Sequence, residues 1–193
     1  APAPAACVQA VVSAFERTDK LFLERAGPKG LTDGAAAAAV WVIGDRAVVA
    51  NIGDVKAVLA REREEEPGGL KAVTVTKEHK AIYPPERARI ERAGGTVEGG
   101  RLAGRLEVSR SFGDAAFKRI GASATPNVTS FEIGPRDRFL LVCCDGFWNL
   151  WSPDDAARTA AALLREGREA KAVTNRLLNV TVRERRCKDN CTV

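Results

Sequence analysis

Arg138-Phe-Leu-Leu-Val-Cys-Cys-Asp-Gly-Phe147 is the segment around which the rest of the chain can be read. Phe139 to Cys143 is an unbroken apolar run of strand length, rich in residues that favour extended backbone and halted by Asp145-Gly146. That pattern predicts a strand buried on both faces. A carboxylate at the end of such a strand is costly unless a metal ion, a basic partner or a helix N-terminus neutralises it. A tight Asp-Gly turn would by itself account for Asp145. Two further acids shift the balance: Asp189 in Lys188-Asp-Asn-Cys-Thr-Val193, ahead of a β-prone run, and Asp114 at the end of Ser109-Arg-Ser-Phe-Gly-Asp114. Hard divalent ions take oxygen ligands, and a pair of them needs carboxylates arriving from separate strands.

Outward from this segment, residues 127–133 and 138–144 predict a hairpin turning at Gly134-Pro-Arg-Asp137. Residues 37–43 and 46–52, split by Gly44-Asp45, predict another, and 56–61 with 70–76 a third, joined by a charged loop holding Pro67-Gly-Gly69. Strands so closely spaced indicate an antiparallel meander rather than βαβ crossovers. A shorter β-like stretch covers 105–109, and Asp189 leads into a last strand. Helices are predicted over 5–25, from the spacing of Val8, Val11, Val12, Phe15, Leu21, Phe22 and Leu23, and over 84–93, where Pro84 opens and Gly94-Gly95 closes. Ser152-Pro-Asp-Asp155 starts a helix running to about residue 166, with serine at the cap, proline at the first position and acids in the first turn. Another spans roughly 170–185. The order is α+β, and two antiparallel sheets face to face with helices outside would bury it.

At 193 residues the chain fits one domain with a sizeable core. No apolar run reaches membrane-span length, and the Ala1-Pro-Ala-Pro4 end lacks a signal-peptide pattern. The absence of methionine and a terminus inside a predicted strand lead us to expect a piece cut at both ends. A net charge of +5 raises the question of nucleic acid, but the basic residues alternate with acids, as in Arg61-Glu-Arg-Glu-Glu-Glu66. The one basic cluster, Arg183-Glu-Arg-Arg-Cys-Lys188, has no interleaved aromatics. Five cysteines, two of them adjacent within the predicted buried strand, do not form a disulfide framework, and Cys187 and Cys191 have no nearby histidine for zinc. Reduced thiols and a cytoplasmic or nuclear location are expected.

An ordered set of segments carries a resemblance: Val49-Ala-Asn-Ile-Gly-Asp54, Lys77-Glu-His-Lys80, Arg89-Ile-Glu-Arg-Ala-Gly-Gly95, Leu106-Glu-Val-Ser-Arg-Ser-Phe-Gly-Asp114, Ala124-Thr-Pro-Asn-Val128, Cys144-Asp-Gly-Phe-Trp148 and Asp189-Asn-Cys-Thr-Val193. Together they resemble the metal-dependent serine/threonine phosphatases of type 2C, nearest to the plant and integrin-linked-kinase-associated branches. The resemblance covers nearly the whole chain. It implies a single, partial catalytic domain over 1–193. The implied fold is a four-layer α-β-β-α sandwich of two antiparallel sheets, incomplete at the N-terminal strands and the last strand. It also implies hydrolysis of phosphoserine and phosphothreonine in proteins by a water activated on an Mg²⁺ or Mn²⁺ pair. By that resemblance Asp145 and Asp189 hold the pair, and Asp114 is linked to a third, weaker metal. The partners implied are phosphoprotein substrates of a monomeric protein, with no nucleic acid and no membrane.

The chain departs from the pattern in lacking the family's Asp-Gly-His-Gly-Gly motif, its preceding acidic ligand and its phosphate-binding arginine. The motif's histidine is the usual candidate for general acid, so no catalytic residue is assigned. The single histidine, His79, matches a structural position. Val55-Lys56 replaces a common Ser-Arg, and Ala35-Ala36 a polar pair. A non-catalytic phosphatase-like binding module is the alternative reading, and a basic nucleic-acid binder a third. Asp54 is expected to shape a turn, Arg110 to pair with a buried acid rather than a phosphate, and Trp148 and Trp151 to lie under the helix after Ser152. Ser109 and Ser111 have no histidine base, which argues against a serine nucleophile.

Overall fold

The computed structural model describes residues 5–66 and 68–193; Pro67 of the predicted charged loop and the Ala1-Pro-Ala-Pro4 end lie outside the described residues. The order is α1 (Ala5–Ala26), a 3-10 turn (Gly27–Lys29), β1 (Gly34–Ala35), β2 (Ala37–Ile43), β3 (Arg46–Ile52), β4 (Lys56–Glu62) and β5 (Leu70–Thr74). Then follow α2 (Pro84–Arg92), β6 (Val97–Glu98), β7 (Arg101–Leu102), β8 (Phe112–Gly113), α3 (Ala115–Lys118), β9 (Asn127–Glu132) and β10 (Asp137–Cys143). The chain closes with α4 (Asp145–Trp148), α5 (Pro153–Arg165), α6 (Ala170–Asn179) and a π-helical turn (Val180–Glu184). It divides into two compact units, one running to Val55 and resuming over Thr76–Glu132, the other made of Lys56–Val75 and Ile133–Val193.

The first unit is built on the antiparallel sheet β2-β3-β9. The β2–β3 hairpin has the register its alternation predicts, Ala37 opposite Ile52 and Ile43 opposite Arg46, with Gly44 left-handed at the turn. Val48, Ala50 and Ile52, alternate residues and so on one face of β3, meet Val11 and Phe15 of α1. Phe15 lies 5.3 Å from the Phe112 ring. Leu21 and Phe22, which entered the helical count, are exposed instead. A smaller core gathers Ala81, Ile90, Leu102 and Ala122 around α2.

The second unit is built on β10-β4-β5. Leu141 and Cys143 of β10 and Val58 of β4 share a core with Phe147, Trp148, Trp151, Ala156, Ala160, Val173 and Leu177. The small buried residues Ala156, Ala157, Ala160 and Ala161 form the inner stripe of α5, at the spacing of a helix face. Ser152 caps this helix, its hydroxyl accepting the Asp155 N–H at 3.1 Å, as its sequence predicts.

Several expectations are corrected. The predicted meander breaks after β3, because β2 and β9 occupy both its edges and β4 lies between β10 and β5 in the other sheet. The chain leaves β3 through Gly53, left-handed, where a Cβ would stand 2.5 Å from that of Ala36. The turn at Gly134–Asp137 forms, closed by the Asp137 N–H to the Gly134 carbonyl at 2.9 Å. It joins no hairpin, however: β9 pairs with β3 and β10 with β4. Residues 105–109 make only isolated bridges, Leu102 with Leu106 and Lys80 with Val108. The segment after Asp189 is not a strand. The helix predicted to 185 widens into a π turn after Asn179. There Thr181 Oγ1 donates to the Leu177 carbonyl at 2.7 Å and accepts from Trp151 Nε1 at 2.8 Å, a side-chain competitor to the helical ladder.

Candidate metal centre

The β10 ladder ends where Cys143 faces Lys56. Cys144, still extended, caps α4, and Asp145 is that helix's first residue. The short helix stands on a rigid floor. Phe147 is fully buried, stacks on Trp151 with ring centroids 5.5 Å apart and meets Trp148 edge-on at 4.9 Å. Trp148 Nε1 donates to the carbonyls of Lys56 and Cys143, both at 3.0 Å, which ties the helix to two strands. Both tryptophans lie under α5, as expected. Asp145 therefore opens one helical turn rather than a tight turn, its Oδ1 accepting the Gly146 N–H at 2.8 Å.

The C-terminal segment runs beside this helix start. The Cys144 N–H donates to the Thr192 carbonyl at 3.3 Å, and the Cys187 thiol to the Gly146 carbonyl at 3.1 Å. A Cβ on Gly146 would fall 2.2 Å from the Asn190 carbonyl oxygen and 3.4 Å from Asp189 Cβ. Glycine at 146 is thus the condition for the Asp189 segment to lie where it does. Asp189 Oδ1 accepts the Asn190 N–H at 2.7 Å, the same arrangement as at Asp145. Two acids distant in sequence are brought onto adjoining segments of one unit.

Asp114 belongs to the other unit. It is left-handed at φ 51° and precedes α3, and its N–H donates to the Asp33 carbonyl at 3.0 Å. The β1–β8 pairing sets Gly34 opposite Gly113. A Cβ on Gly34 would lie 2.0 Å from Asp114 Oδ2, so the carboxylate lies over that glycine. Asp19 of α1 steadies the loop, accepting the Gly113 N–H at 2.7 Å and pairing with Lys118 at 2.8 Å. Among the described residues no group of three or more histidine, cysteine and acidic side chains is assembled that could hold a metal ion. Asp145 and Asp189 nevertheless fit a hard divalent cation as part of its shell. They are oxygen donors on neighbouring segments that pack closely at Gly146, and water can supply further ligands.

His79 lies outside this arrangement. It is fully buried, and neither ring nitrogen has a hydrogen-bond partner. Burial, reinforced by the Arg110 charge, pushes its pKa down to about 4. Arg110 pairs with a buried acid, as its sequence context predicts. That acid is Glu86, at 2.5 Å, which also accepts from Arg89 at 2.8 Å and from Ser109 Oγ at 2.7 Å. Burial alone would raise Glu86, but the hydrogen bonds from Arg110, Ser109 and Arg89 outweigh it and bring the carboxyl down to about 2. The Ser109 hydroxyl is thereby occupied, and Ser111 Oγ is buried without a partner. Glu86 itself was legible only as a first-turn helical acid. Its role as anchor depends on α2 meeting the 109–110 segment. Asp54 sits in the turn after Gly53, 4.0 Å from Lys80 Nζ.

The profile of the family described as protein phosphatase 2C matches residues 4–191. The chain is 47% identical over 193 residues to probable protein phosphatase 2C 8 of Arabidopsis thaliana, covering 95% of this chain and 55% of that protein. It is 36% identical over 197 residues to the human integrin-linked kinase-associated serine/threonine phosphatase 2C, covering 95% and 50%. The chain thus spans about half the length of these relatives. Its fold is similar to that of a serine-threonine phosphatase 2C from Toxoplasma gondii, with a TM-score of 0.84 at 23% identity over 98% of this chain and 65% of the other. The likeness bears out the expected α+β class with antiparallel sheets. The chain belongs to the protein phosphatase 2C family.

Proposed function

We propose that the protein of which these 193 residues form the described chain is a serine/threonine phosphatase. In this reading it hydrolyses phosphoserine and phosphothreonine in proteins with Mg²⁺ or Mn²⁺. The observation that carries the reading is the convergence of Asp145 and Asp189 around Gly146 in a chain of this family. Asp145 and Asp189 would hold the ions, and Asp114 a third, weaker one. When bound, such ions lower the pKa of a coordinated water and neutralise phosphate charge. The chain's own residues have a supporting task. Trp148 and Phe147 fix the helix that presents Asp145, and Gly146 admits the segment that presents Asp189. Without cations these acids would repel a phosphate dianion. His79, enclosed and neutral, is not the proton donor to the leaving alkoxide.

In the same reading, 1–193 is part of one catalytic domain and its turnover alone is weak. The protein is a monomer of the cytoplasm or nucleus with phosphoprotein substrates. Calorimetric titration with Mn²⁺ of the chain and of Asp145→Asn, beside a phosphopeptide release assay, tests it. We expect saturable Mn²⁺ binding, weakened tenfold or more by the substitution, and phosphate release that a chelator abolishes. Equal Mn²⁺ binding by both chains, or release that survives both the substitution and the chelator, overturns the reading.

A further inference from the structure

Three thiols meet where the Asp189 segment passes the end of β10. Cys191 sits between Asn190 and Thr192, the two residues whose backbone the Cys144 thiol contacts. Cys144 Sγ donates to the Asn190 carbonyl at 3.3 Å and accepts the Thr192 N–H at 3.2 Å, so it faces the backbone on either side of Cys191. Cys187 Sγ donates to the carbonyls of Gly146 and Asp189, at 3.1 and 3.4 Å. All three are free and half-buried, whereas Cys143 is shut into the sheet. The Cys144 N–H also donates to the Thr192 carbonyl at 3.3 Å, so the backbone beside Cys191 is held against Cys144, the close approach of two segments that a disulfide requires. Neither the fold nor the proposed metal chemistry requires sulfur at any of these positions.

We propose that Cys144 and Cys191 are a reversible thiol–disulfide pair, whose closure ties the Asp189 segment to the end of β10 and thereby resets the approach of Asp189 to Asp145. The oxidant is a hydroperoxide. Its O–O bond breaks as the Cys144 sulfur takes one oxygen to become a sulfenic acid, and the remainder leaves as water or an alcohol. Cys191 sulfur then attacks the Cys144 sulfur. The S–O bond breaks, the S–S bond forms, and the hydroxyl leaves as water with the Cys191 proton. Two thiols have lost two electrons and two protons, and the peroxide has gained them. A dithiol reverses the step by exchange. Cys187, whose thiol donates to the Gly146 and Asp189 carbonyls on the same two segments, is the third thiol in that region.

The disulfide is tested on the folded chain by adding hydrogen peroxide, alkylating the remaining thiols and mapping non-reduced peptides by mass. We expect a loss of two hydrogens per chain and a linked peptide holding Cys144 and Cys191, both undone by dithiothreitol. The link should be absent in Cys191→Ser and retained in Cys187→Ser, with circular dichroism confirming that each variant is folded. Linkage only between Cys187 and Cys191, or oxidation that ends at sulfinic and sulfonic acids, overturns the pair. The effect on the acids rests on the proposed metal site and has its own readout, Mn²⁺ titration of reduced and oxidised chains. A tenfold or greater loss of affinity on oxidation is expected, and equal affinity overturns the coupling. If the reduced chain binds no Mn²⁺, the metal reading and the coupling fall together, while the mass result still decides the disulfide.

Discussion

His79 and Glu86 lie in one unit, linked through Arg110, and folding lowers the pKa of both. An imidazole with no exposure and no hydrogen-bond partner is tolerated only when neutral. Folding lowers the His79 pKa from 6.5 to about 4. Between these values the unfolded chain takes up a proton that the native ring refuses. Stability is therefore full above pH ~6.5 and declines as the pH falls towards ~4, by up to ~3 kcal/mol. Glu86, brought down from 4.5 to about 2, contributes stability that is present above its unfolded value and lost as the pH falls through its folded one. Urea midpoints recorded from neutral to acid pH should begin to fall near ~6.5. His79→Phe should flatten the upper part of that decline and leave the lower part in place. A wild-type midpoint unchanged down to pH ~4 would contradict this account.

At the scale of elements, two helix starts carry different consequences. The Ser152 cap on α5 serves stability: replacing it with alanine strands the Asp155 N–H and should cost ~1 kcal/mol. Thermal melts of Ser152→Ala should show a lower midpoint, with Mn²⁺ affinity unchanged. At α4 the requirement is steric. Gly146 has no left-handed backbone, so alanine suits its conformation, but the new methyl would sit 2.2 Å from the Asn190 carbonyl. The neighbouring segment must then move and take Asp189 with it. Gly146→Ala should keep its helix signal by circular dichroism while losing Mn²⁺ affinity tenfold or more. Unchanged affinity would show that the Asp189 segment is not held by this contact.

For the whole molecule, the +5 charge is spread rather than gathered. Arg61 pairs with Asp137, Arg63 with Glu66, Arg136 with Glu64, Arg158 with Asp155 and Arg176 with Glu184. Within the basic cluster, Arg185 lies 3.5 Å from the Trp151 ring centroid and donates to the Leu150 carbonyl, so it serves the fold. Fluorescence anisotropy with a single-stranded oligonucleotide at ~50 mM salt should therefore show no saturable binding. A saturable, salt-sensitive isotherm would return nucleic acid to consideration.

Most of the elements of this molecule could be read locally. The β2–β3 hairpin, the Ser152 cap and the α1 stripe through Val11 and Phe15 each follow from a few neighbouring residues, because period, turn chemistry and capping are local properties. Pairing between distant strands is not local. Nothing near Gly53 or Gly134 reveals that β3 and β4, or β9 and β10, join different sheets, since a turn has the same composition whichever partner its strands find. Only the tertiary structure could set Cys144 against Asn190 and Thr192, enclose His79, or seat Glu86 beneath Arg110. Those arrangements depend on where long-range burial and hydrogen bonding bring separate segments together, and a single glycine at 146 decides whether two acids distant in sequence can come to lie on adjoining segments.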